Sequence, residues 1–259
     1  MSGSKVNINK QQASQSIIGA GLSQDATNIL VKNLSAKTLA GAAGTDPTEL
    51  TDLVTLAGVV IDESGSLEPD QALVEREFAD DLAAVKASKQ ADEILMSIWA
   101  FNTRTRVMHS YLTLDLVTGL IDYHPAGGTA LYDAILDTFT ALVAYDAELK
   151  GKGIMTKLNI AVFTDGHDNS SHATADEVRK VSLSLLAKEN CTLSLTGFVG
   201  AEFPPLDPED IAKAIGFPTV VKAGATPKER RRAWGTWSLS VIKTSQTKIG
   251  GSQSGFLAP

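Results

Sequence analysis

The chain has 259 residues, 43% of them hydrophobic and 20% charged, which is enough for one sizeable core and one α/β domain with appendages. A formal net charge of −7 and a pI near 5.1 argue against general nucleic-acid affinity, because binding phosphate needs a positive field. The single cysteine, Cys191, excludes an intrachain disulfide framework, and no run reaches the ~18 apolar residues of a membrane span. The first residues lack the apolar core of a signal peptide, so the expected compartment is the cytoplasm.

Residues 1–50 read as a helical and flexible extension, polar and mobile up to about residue 13. From Ser14 to Gly44 alanine, serine and glycine dominate, with Ile18, Leu22, Ile29, Leu30 and Leu34 at roughly helical spacing. This predicts one or two short helices, interrupted at Gly19 and Gly21, one of them starting at Gln24 under a Ser23 cap. We expect the segment to shield an edge or face of the domain that follows rather than to recognise a partner. Gly41 to Pro47 reads as a linker.

The domain proper spans 51–245. Leu53–Ile61 is its first strand, Glu68–Ser88 an amphipathic helix striped by Val74, Phe78, Leu82 and Val85, and Ile94–Phe101 the second strand. Val107–Leu112, short and half polar, fits an antiparallel edge strand; Leu114–Tyr123 fits a helix or helical turn. Leu131, Ile135, Phe139 and Leu142 mark a helix running to about Leu149, closed by Gly151 and Gly153. Lys157–Thr164 is a strand, followed by a polar loop to Ala173 and a helix over Thr174–Asn190 with Val178, Val181 and Leu185 inward. Cys191–Val199 is a strand, Pro204-Pro205 breaks the chain, Asp207–Ile215 is a short helix and Thr219–Lys222 a last strand.

Thr226-Pro227 opens a helix to about Thr244, anchored to the sheet by Trp234, Trp237 and Val241. Its Lys228, Arg230, Arg231 and Arg232 read as a solvated face partly paired with acidic side chains, rather than a phosphate contact. Residues 246–259 form a flexible tail. Strands alternating with helices imply a mainly parallel sheet with one antiparallel edge strand and helices on both faces. Ligands bind such sheets outside the carboxyl ends of the strands, where the loops after Ile61, His124 and Phe163 would meet.

The first of those loops reads Asp62-Glu63-Ser64-Gly65-Ser66, a D-x-S-x-S pattern in which alternate residues project to one side. Hard divalent cations want oxygen ligands, and Asp62, Ser64 and Ser66 supply them. Alone, such a string is an ordinary turn. Two further segments set it apart: Gly127-Gly128-Thr129 ahead of a helix, and Leu158–Phe163 delivering Asp165.

Together the three segments resemble the von Willebrand factor A (vWA) family, whose metal-ion-dependent adhesion site is written D-x-S-x-S, then T, then D on three loops. The resemblance covers roughly residues 52–245 and matches at Asp62, Ser64, Ser66, Thr129 and Asp165. It departs at Glu63, a variable position, and at Leu67, where a methionine often stands; neither is a ligand position. The resemblance implies a Rossmann-like three-layer sandwich binding Mg2+, with Mn2+ or Ca2+ as alternatives. It implies Ser64 and Ser66 as direct ligands, Thr129 as a direct ligand in the partner-bound state, and Asp62 and Asp165 as direct or water-mediated ones.

The resemblance further implies a non-catalytic module whose metal is completed by a Glu or Asp of a partner protein. Intracellular bacterial relatives often work beside an AAA+ ATPase or in multi-protein assemblies. The competing reading is a metal-assisted hydrolase or phosphotransferase using Ser64 or a bound water, with His167 as base. No G-x-S-x-G elbow surrounds Ser64 and no Walker sequence is present. His167 and His172 lack the i, i+4 spacing of a helical metal pair and have no cysteine nearby, so they read as part of a solvated loop rather than a zinc site.

Overall fold

Strands β1 (Leu53–Asp62), β2 (Ile94–Phe101), β3 (Thr105–Thr113), β4 (Met155–Thr164), β5 (Cys191–Phe198) and β6 (Thr219–Ala223) form one sheet in the order β3-β2-β1-β4-β5-β6. All neighbours are parallel except β3, the antiparallel edge strand paired with β2. The computed structural model describes residues 4–198, 207–224 and 226–247. The expected end of β5 at Val199, the Pro204-Pro205 break and nearly all of the tail lie outside the described residues.

The helices are α1 (Lys10–Gly19), α2 (Gln24–Lys32), α3 (Ala36–Ala42), α4 (Gln71–Lys86), α5 (Leu131–Gly151), α6 (Ala175–Leu186), α7 (Pro208–Ile215) and α8 (Pro227–Gln246). The pleat of β1 sorts them into layers. Val54, Leu56 and Val60 face a core shared with α5, α6 and α7, whereas Ala57, Val59 and Ile61 face a second core shared with α4 and α8. None of the helices among the described residues is long and apolar enough to cross a membrane.

The N-terminal segment differs from expectation in three respects. It holds three helices, because Asn9 with Gln12 and Ser35 with Thr38 form capping boxes that start α1 and α3, and Ser23 caps α2. The polar stretch before residue 13 is tied down: Val6 N–H donates to Gly44 O at 2.9 Å, and Ile8 is buried. Residues 41–47 are packed rather than linking. Thr45 N–H donates to Tyr111 O (3.1 Å), Tyr145 OH donates to Thr45 O (2.7 Å), and a Cβ on Gly41 would fall 2.2 Å from the Trp99 ring.

These contacts put α1 and α3 on α5, and α2 on α6. Helix α5 is therefore enclosed between the sheet and the extension, and every residue from Ala134 to Asp146 is buried. Asn33 secures the arrangement by donating to Asp137 Oδ1 (3.1 Å) and Thr140 Oγ1 (3.0 Å), with Lys37 paired to Asp137.

Helix α8 is fastened to the other face by aromatic packing, with Trp234 stacked on Phe163 at 3.9 Å between centroids and Trp237 on Phe78 at 5.6 Å. Its basic cluster is used within the molecule: Arg230 pairs with Asp70 and Arg231 with the buried Glu77. Leu114–Tyr123 keeps only a single 3-10 turn, Leu114–Leu116. Left-handed backbone at Gly119 (φ 107°) and Asp122 (φ 49°) prevents the helix from continuing.

Gly41→Ala is expected to destabilise the protein by about 1–3 kcal/mol in urea denaturation, since the added methyl meets a buried ring. Gly19→Ala, with open space around the added methyl, is expected to be neutral or stabilising by up to about 1 kcal/mol. At the α4–α8 contact, burial pushes the Asp81 carboxyl up to about 6 despite a hydrogen bond donated by Ser238 at 2.8 Å. Native protein then holds more protons than unfolded chain between about pH 4 and 6, so this group's contribution to stability falls as pH rises through that window. Asp81→Asn is expected to remove that slope relative to wild type and to be the more stable of the two at pH 7.

Candidate metal centre

Strand β1 ends in Asp62, a fully buried carboxylate that needs hydrogen-bond donors on both oxygens. Oδ1 accepts from Ser64 N–H at 2.8 Å, which folds the following loop back on the strand end. Oδ2 accepts from the Thr164 hydroxyl at 2.6 Å, which joins β1 to the end of β4. Burial pushes the Asp62 carboxyl above its ordinary value, against the pull of the Thr164 and Ser64 hydrogen bonds.

From there the polar atoms form a chain. Ser64 Oγ lies 3.1 Å from Ser66 Oγ, and Ser66 Oγ donates to Asp165 Oδ1 at 2.9 Å. Asp62, Ser64 and Asp165 are buried while Ser66 is exposed, so the string opens to solvent at one side.

Thr129 sits on the neighbouring loop. Gly65 N–H donates to Gly127 O at 3.1 Å and Ala126 N–H to Glu63 O at 2.9 Å, which ties the two loops backbone to backbone. Gly127 takes φ 77°, a value open to glycine. Thr129 N–H donates to Asn169 Oδ1 at 2.8 Å, and Thr129 O accepts from the Asn169 and Ser170 N–H groups at 3.0 and 3.1 Å. All five residues singled out from the sequence thus lie on three loops knitted together at the carboxyl ends of β1 and β4 and the start of α5.

The donor set suits a small hard cation. It consists of hydroxyl and carboxylate oxygens; among the described residues no three His, Cys, Asp or Glu side chains converge on a metal position. Adjacent corners of an octahedron with metal–oxygen bonds of about 2.0–2.1 Å lie about 2.9 Å apart. The Ser64–Ser66 and Ser66–Asp165 separations of 3.1 and 2.9 Å match that edge.

Several supporting residues escaped the reading of the sequence. Glu63, taken as filling a variable position, is buried and accepts from Arg106 Nε and Nη2 at 3.0 Å each and from His124 N–H at 2.6 Å. Tyr123 OH donates to Asp62 O at 2.8 Å, and burial together with the Asp62 and Glu63 carboxylates keeps that phenol protonated well above its ordinary value.

The loop after Asp165, expected to be merely solvated, is stitched to the start of α5. Asp133 accepts from the His172 and Ala173 N–H groups at 3.1 and 2.8 Å, and Ser171 Oγ, which donates to Asp168 Oδ1 at 2.5 Å, accepts from Asp133 N–H at 3.1 Å. The run Asp168-Asn169-Ser170-Ser171 ahead of the Thr174 cap was the available signal. The Ser64 hydroxyl contacts Ser66, His172 lies 3.3 Å from Asp133, and His167 and His172 are both exposed.

No family model matches the sequence, and no curated protein matches it at a significant level. Solved structures do. A von Willebrand factor type A protein from Catenulispora acidiphila superposes with a TM-score of 0.52 at 15% identity, over 76% of this chain and 44% of its own. The pilus adhesin SpaC from Lactobacillus rhamnosus GG gives 0.54 at 12% identity, over 75% and 31%. A D319A mutant of the PilB minor pilin from Streptococcus sanguinis gives 0.53 at 10% identity, over 73% and 62%. The chain therefore has the fold of a vWA domain, and it spans less than two thirds of each of these longer chains.

The contact between the second and third loops is testable. A Cβ on Gly128 would fall 2.5 Å from Ser170 Oγ and 2.7 Å from Asn169 Oδ1. Those side-chain ends can swing away, at the expense of the Thr129–Asn169 hydrogen bond, about 0.5–1.5 kcal/mol. Gly128→Ala is expected to speed native-state hydrogen exchange of the Thr129 and Ser170 amides severalfold while leaving the amides of β2 unchanged.

Proposed function

We propose that this protein is a non-catalytic, metal-dependent protein–protein interaction module. In this reading Asp62, Ser64, Ser66, Thr129 and Asp165 hold one divalent cation, Mg2+ in preference to Mn2+ or Ca2+. The carrying observation is the string of oxygens Ser64 Oγ, Ser66 Oγ and Asp165 Oδ1, whose separations of 3.1 and 2.9 Å match a metal's coordination edge and one of whose residues is solvent-exposed, with Asp62 bonded to the Ser64 amide at its base. Three of the five side chains are neutral hydroxyls, so the two aspartates alone offset the ion's charge. A bound ion would supply a Lewis-acidic point on which a Glu or Asp of a partner protein closes the coordination shell. The chain's own part is to hold the hydroxyls in place, to bury Asp62, and to keep one side open for the incoming carboxylate.

An adhesin and a minor pilin among proteins of this fold support a protein-interaction role; the partner class we propose is an AAA+ ATPase or a multi-protein assembly. We place the encounter in the cytoplasm, in keeping with a single buried thiol, Cys191. The hydrolase alternative asks for a base on Ser64. The contact of that hydroxyl with Ser66, and the exposure of His167, favour the adhesive reading.

At Mg2+ concentrations about 100 times the Kd, linkage stabilises the fold by about 2.7 kcal/mol, or about 5–10 °C in Tm for a domain of this size. Wild type is expected to show that shift in differential scanning fluorimetry with Mg2+ against EDTA, and Asp62→Ala to lose it. In pull-downs from source lysate, partners recovered with Mg2+ should be absent with EDTA and from Asp62→Ala and Thr129→Ala. Identical recovery in all four cases would remove the proposal. Turnover of phosphoester substrates that disappears in Ser64→Ala or His167→Ala would replace it with the hydrolase.

A further inference from the structure

Residues 117–124 have no regular structure, yet five of their carbonyls and the His124 N–H bond to side chains from neighbouring elements. Lys86 donates to Val117 O (2.7 Å), His109 Nε2 contacts Gly119 O (2.9 Å), and Gln71 donates to Tyr123 O (2.9 Å). Arg106, on the edge strand β3, donates Nη1 to Ile121 O at 2.8 Å and Nη2 to Asp122 O at 2.7 Å. The same guanidinium grips both oxygens of Glu63, and Glu63 Oε1 also accepts from His124 N–H. These bonds anchor the loop to α4, to β3 and to Glu63.

Glu63 is the residue between the first two members of the oxygen string, Asp62 and Ser64. Its N–H donates to Phe101 O at 2.6 Å and its carbonyl accepts from Ala126 N–H at 2.9 Å, so both its backbone and its side chain are fixed. His124 and Ala126 lead directly into Gly127-Gly128-Thr129. One buried carboxylate therefore joins the Asp62–Ser66 loop to the Thr129 loop, and Arg106 holds that carboxylate in orientation.

Resting on the metal reading above, we infer that the Glu63–Arg106 pair is a positioning device for the cation site, setting the distance between its first and second ligand-bearing loops. Neither residue touches the ion. Outer-shell partners of this kind change metal affinity by about 10- to 100-fold when removed.

The test is isothermal titration of the full chain with Mn2+ at 10 °C, where wild type and every variant used are confirmed folded by circular dichroism. Working far below the melting transition separates positioning from stability, because a purely structural loss would lower Tm without moving the Kd. Arg106→Lys and Glu63→Gln are each expected to weaken Mn2+ binding at least tenfold. The double variant is expected to be little worse than either single one, since both remove the same clasp. Tyr123→Phe, which leaves the clasp intact and deletes one hydroxyl, is expected to shift the Kd by less than either.

If wild type binds Mn2+, Asp62→Ala abolishes binding, and both clasp variants stay within twofold of wild type, the inference is overturned while the metal reading stands. If wild type binds no Mn2+, both are overturned together.

Discussion

Everything at the candidate site depends on one buried carboxylate being satisfied from two directions. Burying Asp62 without donors would cost several kcal/mol, or the group would have to stay neutral. Its donors include the Ser64 amide of its own loop and the Thr164 hydroxyl of the adjacent strand. The second is available because β1 and β4 run parallel with Ile61 opposite Phe163, so Asp62 and Thr164 end their strands side by side and Asp165 follows one residue on. Sheet register thus sets the geometry of the oxygen string; a one-residue slip would turn Thr164 to the opposite face and take its hydroxyl from Asp62 Oδ2.

The third participant, Thr129, depends on a different part of the molecule. It stands just ahead of α5, and α5 can be held rigidly only if both its faces are packed. The sheet covers one face and α1 and α3 the other, while Asn33 and Lys37 satisfy Asp137 at the join. The N-terminal segment is in this way part of what fixes the site, packing on α5 and reaching past it to β2 and β3. On the opposite layer, the tryptophans of α8 pack against Phe163, two residues before Asp165. Both layers thus bear on elements that carry loops of the candidate site.

Much of this was legible in the sequence. The extent of β2, the carboxyl end of β4, the antiparallel edge strand and the Ser23 and Thr226 caps follow from apolar periodicity and turn chemistry, and the three loops of the candidate site were singled out by their resemblance to the vWA pattern. Two signals were present but underread. The stretch Ala134–Tyr145 carries a single charge, Asp137, and is apolar on every side, which means that a second layer must cover it. Asn9 and Ser35, each three residues ahead of a polar partner, mark helix starts in a segment that composition alone makes look loose.

Other features had no local signal. The Glu63–Arg106 pair spans 43 residues, and the 117–124 loop replaces an expected helix because left-handed backbone at Gly119 and Asp122 breaks the helical pattern and leaves carbonyls to Lys86, His109, Arg106 and Gln71. Such interactions are set by tertiary placement, which periodicity does not encode.

The central claim, that three loops grip a single cation, is tested most directly by anomalous diffraction from crystals grown with Mn2+. One strong peak bonded to Ser64 Oγ and Ser66 Oγ at about 2.0–2.3 Å, with Asp62, Thr129 and Asp165 in its first or second shell, is the predicted result. Saturating Mn2+ with no peak between these side chains, or a peak held by other residues of the chain, would contradict it.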